Sequence, residues 1–414
     1  MKKIKLNIEN YKNILFLLFL FIFASLYFAY IFKITNDYPW RYVFTDWLIN
    51  YEAGYIKRGL LGQFSILIFQ ISNLNFKTIF ILQHFLCYLF FLITFYFLTK
   101  NFIKNYLFIF FVFSPLVFLY PLLNESALAR KEIFFLFLYL SQCFLLTKIS
   151  NKLIAFIVTT TFVILSCLIH EMSLFFSFFY YFAYYFFLTQ KELNINYKEV
   201  LISFFLLFFL FWISTRPILP EQVTAMVFYI KNDLGINMTD KSGAISWLTS
   251  LNSKISLNNF KNDFNDTPTM LVNISQHFFA LHFLLMFCLI IFNYSKFSKK
   301  RDFKLFYLIT ILFPFVLFYV SFSWGRFIYI FYNFNLILFL YIFYQNKEIF
   351  IKIDQIYPLS KLNNYTKLFF AIFYCISWKP GIEYFEHFQF FKIFPFMQQT
   401  FNYSVKYIGI LWSF

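Results

Sequence analysis

The chain is poor in the residues on which soluble domains depend. Only 13% of its 414 residues are charged and only eight are glycine, whereas 61% are hydrophobic and 72 are phenylalanine. A soluble core of this length could not bury so much apolar surface. The composition therefore excludes a soluble globular protein and predicts a polytopic membrane protein.

Cysteine and metal-binding patterns are also scarce. The five cysteines all lie inside apolar runs and form no Cys-x-x-Cys pair, so neither a disulfide framework nor a metal site is expected from them. His170 and Glu171 do not extend to the zinc motif His-Glu-x-x-His, because Leu174 stands where the second histidine would be. We therefore expect no metal and no cofactor.

Arginine is the third scarce residue. Of 35 basic residues, only Arg41, Arg58, Arg130, Arg216, Arg301 and Arg326 are arginine. The abundance of Phe, Ile, Lys, Asn and Tyr is typical of AT-rich genes, so a retained arginine suggests a role that lysine cannot fill, such as two-pronged binding of phosphate or carboxylate. The lysines lie in short clusters between apolar runs. The net charge of +16 therefore indicates cytoplasmic loops, and no nucleic-acid partner is expected.

Apolar runs long enough to cross a bilayer recur along the whole chain. A spanning helix needs about 20 apolar residues, and about eleven segments are candidates: 13–33, 76–99, 105–123, 128–147, 153–169, 172–189, 200–215, 275–293, 305–322, 325–345 and 366–379. The first run is too long for a signal-peptide core, so we predict an uncleaved first span. The shorter run 60–73 is expected to lie at the interface or to re-enter the membrane. The predicted fold class is an all-α integral membrane protein.

The lysine clusters predict the orientation of these spans. With a cytoplasmic N-terminus, the lysine-rich loops near residues 100, 150, 195, 300 and 350 all lie on the cytoplasmic side, as the positive-inside rule requires. The outer face then carries an unusual set of charged residues: Asp37, Arg41, Asp46, Glu52, Arg58, Glu125, Arg130, Glu132, His170, Glu171, Arg216 and Arg326. Short outer loops are normally poor in basic residues. This enrichment predicts an outward-facing site for an anionic ligand.

Three outer regions are predicted within the single transmembrane domain. They are a first outer loop at 34–75 with interfacial helices, a long loop at 216–274, and a C-terminal interfacial cap at 379–414. The long loop contains two amphipathic stretches, 222–235 and 242–255. Loops of this length are usually lids or binding loops.

The first charged patch lies at 35–63. Asp37 and Arg41 are four residues apart, and Lys57 and Arg58 follow among glycines that let the backbone approach a neighbour or a ligand closely. A headgroup anchor would also explain the basic residues. It would not require the glycines or the acids, which include Glu52.

Three further patches follow. Arg130 and Lys131 stand where a span begins and suit a pyrophosphate, although snorkelling into headgroups or pairing with a nearby glutamate is the alternative. His170 lies between apolar runs and suits a general base, with Glu171 to orient or replace it, unless the pair is only a polar turn. Arg216 opens the long loop and Arg326 opens a span in the same way.

These patches resemble the Wzy- and EpsG-like polysaccharide polymerases. In that group an arginine opens a span and a histidine follows in a later apolar run, as in ARKEIFFLFLYL (129–140) and LIHEMSLFF (168–176) here. Asp37, Arg41 and Tyr42, together with GRFIYIFYNF (325–334), are similar to the group's opening and closing elements. Where the group often has Pro or Lys after the histidine, this chain has Glu171.

The resemblance implies a membrane glycosyltransferase of the bacterial cytoplasmic membrane, with its active face on the periplasmic or extracellular side. Its substrates would be polyprenyl-pyrophosphate-linked saccharides, and other envelope glycan-assembly proteins are candidate partners. The cations expected to bind substrate are Arg41, Lys57, Arg58, Arg130, Lys131, Arg216 and Arg326. The candidates for the base are His170, Glu171, Asp37 and Glu52.

Two other functions stay open at this point. A single-sugar transferase of the same superfamily would use a polyprenyl-phosphate sugar, with Asp37 or Asp46 as its base. A flippase for lipid-linked oligosaccharides is the second alternative. Transporters place ionisable residues along a path near the middle of the membrane, whereas here they are predicted to gather at one face.

Overall fold

The computed structural model describes residues 2–37, 42–72, 74–100, 116–123, 130–250, 301–317 and 324–345, with the isolated positions 102, 112, 114, 288, 366, 378–379 and 389–390. In this part of the chain the fold is all-α, apart from one two-residue antiparallel pair between Trp378–Lys379 (β1) and Gln389–Phe390 (β2).

The helices follow the chain in this order: α1 Lys2–Asp37, α2 Tyr42–Trp47, α3 Gly59–Ser72, α4 Phe76–Thr99, α5 Leu119–Leu123, α6 Glu132–Leu146, α7 Lys152–Ile169, a 3-10 helix Glu171–Phe176, α8 Ser177–Gln190, α9 Tyr197–Thr215, α10 Pro220–Asn232, α11 Gly243–Ser250, α12 Arg301–Leu312, a 3-10 turn Phe313–Phe315, and α13 Trp324–Gln345.

Six of the described helical segments are long and apolar enough to cross a membrane: Asn13–Lys33, Phe76–Thr99, Lys152–Ile169, Glu171–Gln190, Tyr197–Thr215 and Gly325–Gln345. The chain thus has the fold of a multi-pass membrane protein. The run predicted at 128–147 forms the shorter helix α6, whose 15 residues span about 22 Å. Nearly all of the predicted spans at 275–293 and 366–379, and about half of that at 105–123, lie outside the described residues, so the total of eleven stays a prediction.

Helix α13 lies at the centre of the bundle and α9 at its edge. The spanning window of α13 is 94% buried, whereas that of α9 is 6% buried. Helix α13 packs against α4, α6 and α8, and α6 also packs against α4 and α7. Aromatic rings fill the space between these helices. Phe334 of α13, for example, stacks on Tyr139 of α6 at 4.7 Å between ring centroids.

Asparagine side chains begin two of the spans. The side chain of Asn75 accepts a hydrogen bond from the backbone N–H of Lys77, and Asn151 accepts from Leu153 and Ile154, which satisfies N–H groups that a helix start leaves unpaired. The backbone between α7 and α8 breaks at His170, which is extended (φ −160°, ψ 125°). The His170-Glu171 pair therefore lies at a junction of two helical segments, as the sequence predicts.

Two short helices of the long loop, α10 and α11, coincide with its predicted amphipathic stretches. Helix α11 packs on α2, and the backbone N–H of Ala244 donates to Thr45 Oγ1 at 2.8 Å. Gln70 of α3 donates to the hydroxyl of Tyr229 in α10 at 3.4 Å. The long loop thus lies against the first predicted outer loop. Residues 251–274 and almost all of 379–414 lie outside the described residues.

Candidate active site at one end of the bundle

Seven ionisable side chains gather where α6 and α13 begin and α7 ends. This charged cluster consists of Asp46, Arg58, Lys131, Glu132, His170, Glu171 and Arg326. Its members come from four separate parts of the chain: the 42–58 segment, the start of α6, the α7–α8 junction and the start of α13. Charged groups buried between membrane helices are costly to maintain and by default indicate function.

Arg58 and Glu171 form the strongest pair. Arg58 Nε donates to the two carboxylate oxygens of Glu171 at 2.8 and 2.7 Å, and Nη2 also contacts Oε1. The backbone of Arg58 is in the left-handed region, with φ of 69°, which is strained for a residue other than glycine. Its carbonyl accepts a hydrogen bond of 2.7 Å from Lys131 Nζ. The surrounding contacts therefore hold Arg58 in an unfavourable backbone conformation.

Asp46 lies between two of the cations. Its Oδ1 is 3.7 Å from Arg58 Nη1, and its Oδ2 is 3.8 Å from Lys131 Nζ. Lys131 is fully buried, and this burial is the main reason that its pKa falls from 10.5 to about 8, against the opposing attraction of Asp46. Lys131 therefore carries its charge at neutral pH and loses it under mildly alkaline conditions.

Arg326 connects the second half of the cluster. Its Nε forms an ion pair with Glu132 Oε1, and its Nη2 lies 3.3 Å from His170 Nε2. Glu132 is 4% exposed, and its second oxygen, Oε2, has no hydrogen-bond partner among the described residues. The Arg326 side chain thus joins α13 to both α6 and the α7–α8 junction.

Both ring nitrogens of His170 face protein groups. Nδ1 accepts from the backbone N–H of Met172 at 3.1 Å and lies 3.4 Å from Glu171 Oε2. Burial, followed by the nearby Arg58, holds the pKa of His170 well below its usual value, so the ring is neutral at physiological pH. A neutral ring carries one proton, and either tautomer leaves its lone pair directed at a protein N–H.

The glycines of this region shape the segment that carries Arg58. A Cβ at Gly62 would lie 1.9 Å from the carbonyl oxygen of Ile49, and one at Gly59 would lie 2.2 Å from the Tyr51 ring. Gly54 adopts φ of +93°. The close approach that the sequence predicts is therefore between α3 and the preceding loop of the same chain.

A narrow cavity of about 10 Å³, roughly the room for one water molecule, adjoins the cluster. Its polar lining consists of Arg130, Glu132 and Arg326. Much of the rest of its wall is formed by tyrosines: Tyr27, Tyr88, Tyr120 and Tyr329. Arg130 is half-buried. The cavity brings two of the predicted arginines, Arg130 and Arg326, to one place beside a carboxylate.

The other predicted site residues lie further out. Lys57 is half-buried; burial lowers its pKa, and the charge of Glu171 opposes this shift. Glu52 is exposed and accepts from Gln63 Nε2 at 2.6 Å, which places it outside the cluster. Arg216 is exposed and its guanidinium lies 3.8 Å above the Trp212 ring. Arg41 lies outside the described residues, as does the side chain of Asp37 at the end of α1.

Two acids in the cluster were not among the main predicted site residues. From the sequence, Glu132 is expected on the outer face only as a local partner for Arg130, and Asp46 only as the base of a single-sugar transferase. Periodicity could have identified Glu132, because Leu136, Tyr139 and Cys143 follow on the same buried face of α6. For Asp46 no comparable signal exists, because its position depends on how the 42–58 loop folds back.

The charges of the cluster balance. Arg58, Lys131 and Arg326 supply three positive charges, and Asp46, Glu132 and Glu171 supply three negative ones, while His170 is neutral. Lys57 at the margin adds one positive charge, and Arg130 lines the adjoining cavity. An added anion would therefore find a net attraction in Lys57.

Within the described residues, no group of three or more His, Cys, Asp or Glu side chains is arranged to hold a metal ion. Chemistry without a metal stays a prediction. No model of a known family, no curated protein and no solved structure matches the chain.

Proposed function

We propose that this protein is a membrane glycosyltransferase that joins polyprenyl-pyrophosphate-linked saccharide units at the outer face of the bacterial cytoplasmic membrane. One observation carries the proposal: cations and acids from four separate parts of the chain meet at one end of the bundle. The lysine-rich loops at residues 148–152 and 191–198 lie at the other end, which the positive-inside rule assigns to the cytoplasm.

The transfer that we propose needs two kinds of group. The acceptor hydroxyl oxygen bonds to the anomeric carbon of the growing glycan, and its proton passes to a base. The bond from that carbon to the phosphate oxygen breaks, and its electron pair leaves with the polyprenyl pyrophosphate. Cations fixed in place stabilise the charge that develops on this leaving group. Arg130, Arg326 and Lys57 suit that role, because two of them line the cavity and the third adds charge that the cluster itself does not balance.

The distribution of charge also favours chemistry over transport. Transporters place ionisable groups near the middle of the membrane along a path. Here the ionic contacts of the charged cluster lie at one end of the helices, while Lys152 and Glu199 form a single separate pair at the opposite end. A site at one surface suits a reaction between two lipid-linked substrates that both lie in that leaflet.

Deletion of the gene in its source organism tests the function. We expect the surface glycan to shrink to single repeat units, analysed by gel electrophoresis and mass spectrometry of released glycan. A single-sugar transferase would instead leave truncated units, and a flippase would leave no surface glycan. Either result would contradict polymerisation, as would a surface polymer of unchanged length.

A further inference from the structure

The position of Glu132 in the cavity leads to an assignment of the base. We propose that Glu132, and not His170, accepts the proton of the acceptor hydroxyl; this inference rests on the proposed glycosyl transfer. The cavity is bounded by Glu132, Arg130, Arg326 and Tyr329 and has room for about one water-sized group, which is also the size of a single hydroxyl.

Two carboxylates of the cluster, Glu132 and Asp46, have a buried oxygen without a hydrogen-bond partner among the described residues, and of these two only Glu132 lines the cavity. Arg326 Nε engages its Oε1, while Oε2 is buried without a hydrogen-bond partner among the described residues. A buried carboxylate oxygen is rarely left in this state, because an unsatisfied polar atom costs about 1–3 kcal/mol. A substrate hydroxyl in the cavity would donate to this oxygen and be oriented for proton transfer.

The competing groups are already engaged. Glu171 directs both oxygens at Arg58. His170 has its lone pair directed at the N–H of Met172 in one tautomer and at Arg326 in the other. Asp46 is excluded by its position: its Oδ1 also lacks a hydrogen-bond partner among the described residues, but it lies 3.7 Å from Arg58 Nη1 and the side chain does not line the cavity. In this arrangement His170 is a positioning residue that holds Arg326 against Glu132.

In the proposed step, the proton moves from the acceptor hydroxyl to Glu132 Oε2 while that hydroxyl oxygen attacks the anomeric carbon. The pyrophosphate leaves with the electrons of the broken carbon–oxygen bond, beside Arg130 and Arg326. Glu132 then returns its proton to solvent after the product leaves the site. The step changes no oxidation state, so it needs no oxidant or reductant.

Chemical rescue tests the assignment. The substrate is the lipid-linked saccharide extracted from the deletion strain, and the full-length protein is reconstituted in proteoliposomes. We expect Glu132→Ala to lose at least about 100-fold in rate, the lower range for a general base. Added formate should restore activity in proportion to its concentration, because the shortened side chain leaves space for a small carboxylate beside Arg326.

Matched variants make the result decisive. Glu199→Ala removes a carboxylate from the ion pair with Lys152 at the other end of the bundle. This variant should retain activity, and added formate should not change its rate. Glu132→Gln keeps an oxygen for Arg326 and should fold, yet remain inactive. Full activity of Glu132→Gln would overturn the proposal. The proposal would also be overturned if formate does not rescue a folded Glu132→Ala variant and imidazole does rescue His170→Ala. If the wild-type protein itself makes no polymer, the proposed function fails and this assignment falls with it.

Discussion

The ion pair between Arg58 and Glu171 allows a quantitative test of the cluster. Arg58→Met removes a guanidinium that makes several hydrogen bonds to Glu171 and also lies 3.7 Å from Asp46. Two carboxylates then lose a partner in a largely buried site. Breaking a buried pair in this way costs about 3–5 kcal/mol, and the 21% exposure of the Glu171 side chain favours the lower end, about 3 kcal/mol.

A double-mutant cycle isolates the contribution of the pair. A methionine at position 58 has the same strained left-handed backbone as Arg58, so the energy of this strain is the same in every variant of the cycle and cancels. We expect Arg58→Met with Glu171→Met to be less destabilising than the sum of the single changes, with a coupling energy of about 1–3 kcal/mol. The assay is unfolding by SDS in mixed micelles, followed by far-ultraviolet circular dichroism.

The pair between Lys152 and Glu199 is the matched control. Its Nζ–Oε1 distance is 3.0 Å, and its side chains are 27% and 16% exposed at the opposite end of the bundle. This pair has one ionic contact, made by a flexible lysine side chain that is 27% exposed, so we expect it to contribute less than about 1 kcal/mol. A coupling energy for Arg58 and Glu171 no larger than that of the control would refute the reasoning that the cluster is held together by buried charge pairing.

Three further predictions follow from the same geometry. Gly62→Ala would place a methyl group against the Ile49 carbonyl and should lower the unfolding free energy by about 1–3 kcal/mol in the same assay. Binding of undecaprenyl pyrophosphate, measured by thermophoresis, should weaken as the pH rises through about 8, because Lys131 then loses its charge, and Lys131→Arg should remove this dependence. Arg130→Ala should abolish polymer formation, whereas Arg216→Ala should leave it nearly unchanged.

Each of these has a control and a contradicting result. Ser72→Ala, at the exposed end of α3, removes only the hydrogen bonds that an exposed hydroxyl makes with Ile68 and Leu74, so it should lower the unfolding free energy by less than about 1 kcal/mol. A loss no larger for Gly62→Ala would show that the loop before α3 moves to make room for the added methyl group. Between about pH 8 and 10.5 the unfolded chain binds more protons at Lys131 than the folded one, so this group makes stability rise with pH while binding falls. Binding that is flat across pH 8 would exclude a role for its charge. Polymer formed by Arg130→Ala would exclude the proposed contact with pyrophosphate.

The structure confirms six of the predicted spans, which the sequence reveals because hydropathy is a local property of the chain. The predicted limits 76–99 are those of α4, and the break at His170 and Glu171 is present. The described boundary of α6 differs from the predicted 128–147: the helix begins at Glu132, and the side chain of Lys131 before it donates to the carbonyl of Arg58. That contact joins residues 73 positions apart, which no local pattern reveals.

The sequence predicts that charged residues gather at one face of the membrane, but it does not predict which of them contact one another. The predicted orientation places Arg58, His170 and Arg326 on one face of the membrane. It does not show which cations form ion pairs inside the bundle and which remain at the surface. The sequence pattern does not distinguish Arg216 from Arg58, because both are arginines on the predicted outer face. The structure distinguishes them, since one stacks on Trp212 at the surface and the other binds Glu171. The net charge of the cluster also cannot be predicted from the sequence, because it depends on which acids the fold places beside these cations.

Polymerisation by the purified protein is the most direct test of the central claim. Wild-type protein in proteoliposomes is given the lipid-linked saccharide that accumulates in the deletion strain, and the products are separated by chain length. The account predicts longer glycans on polyprenyl pyrophosphate, together with release of unsubstituted polyprenyl pyrophosphate. Saccharides of unchanged length, with the lipid carrier merely moved across the bilayer, would contradict it.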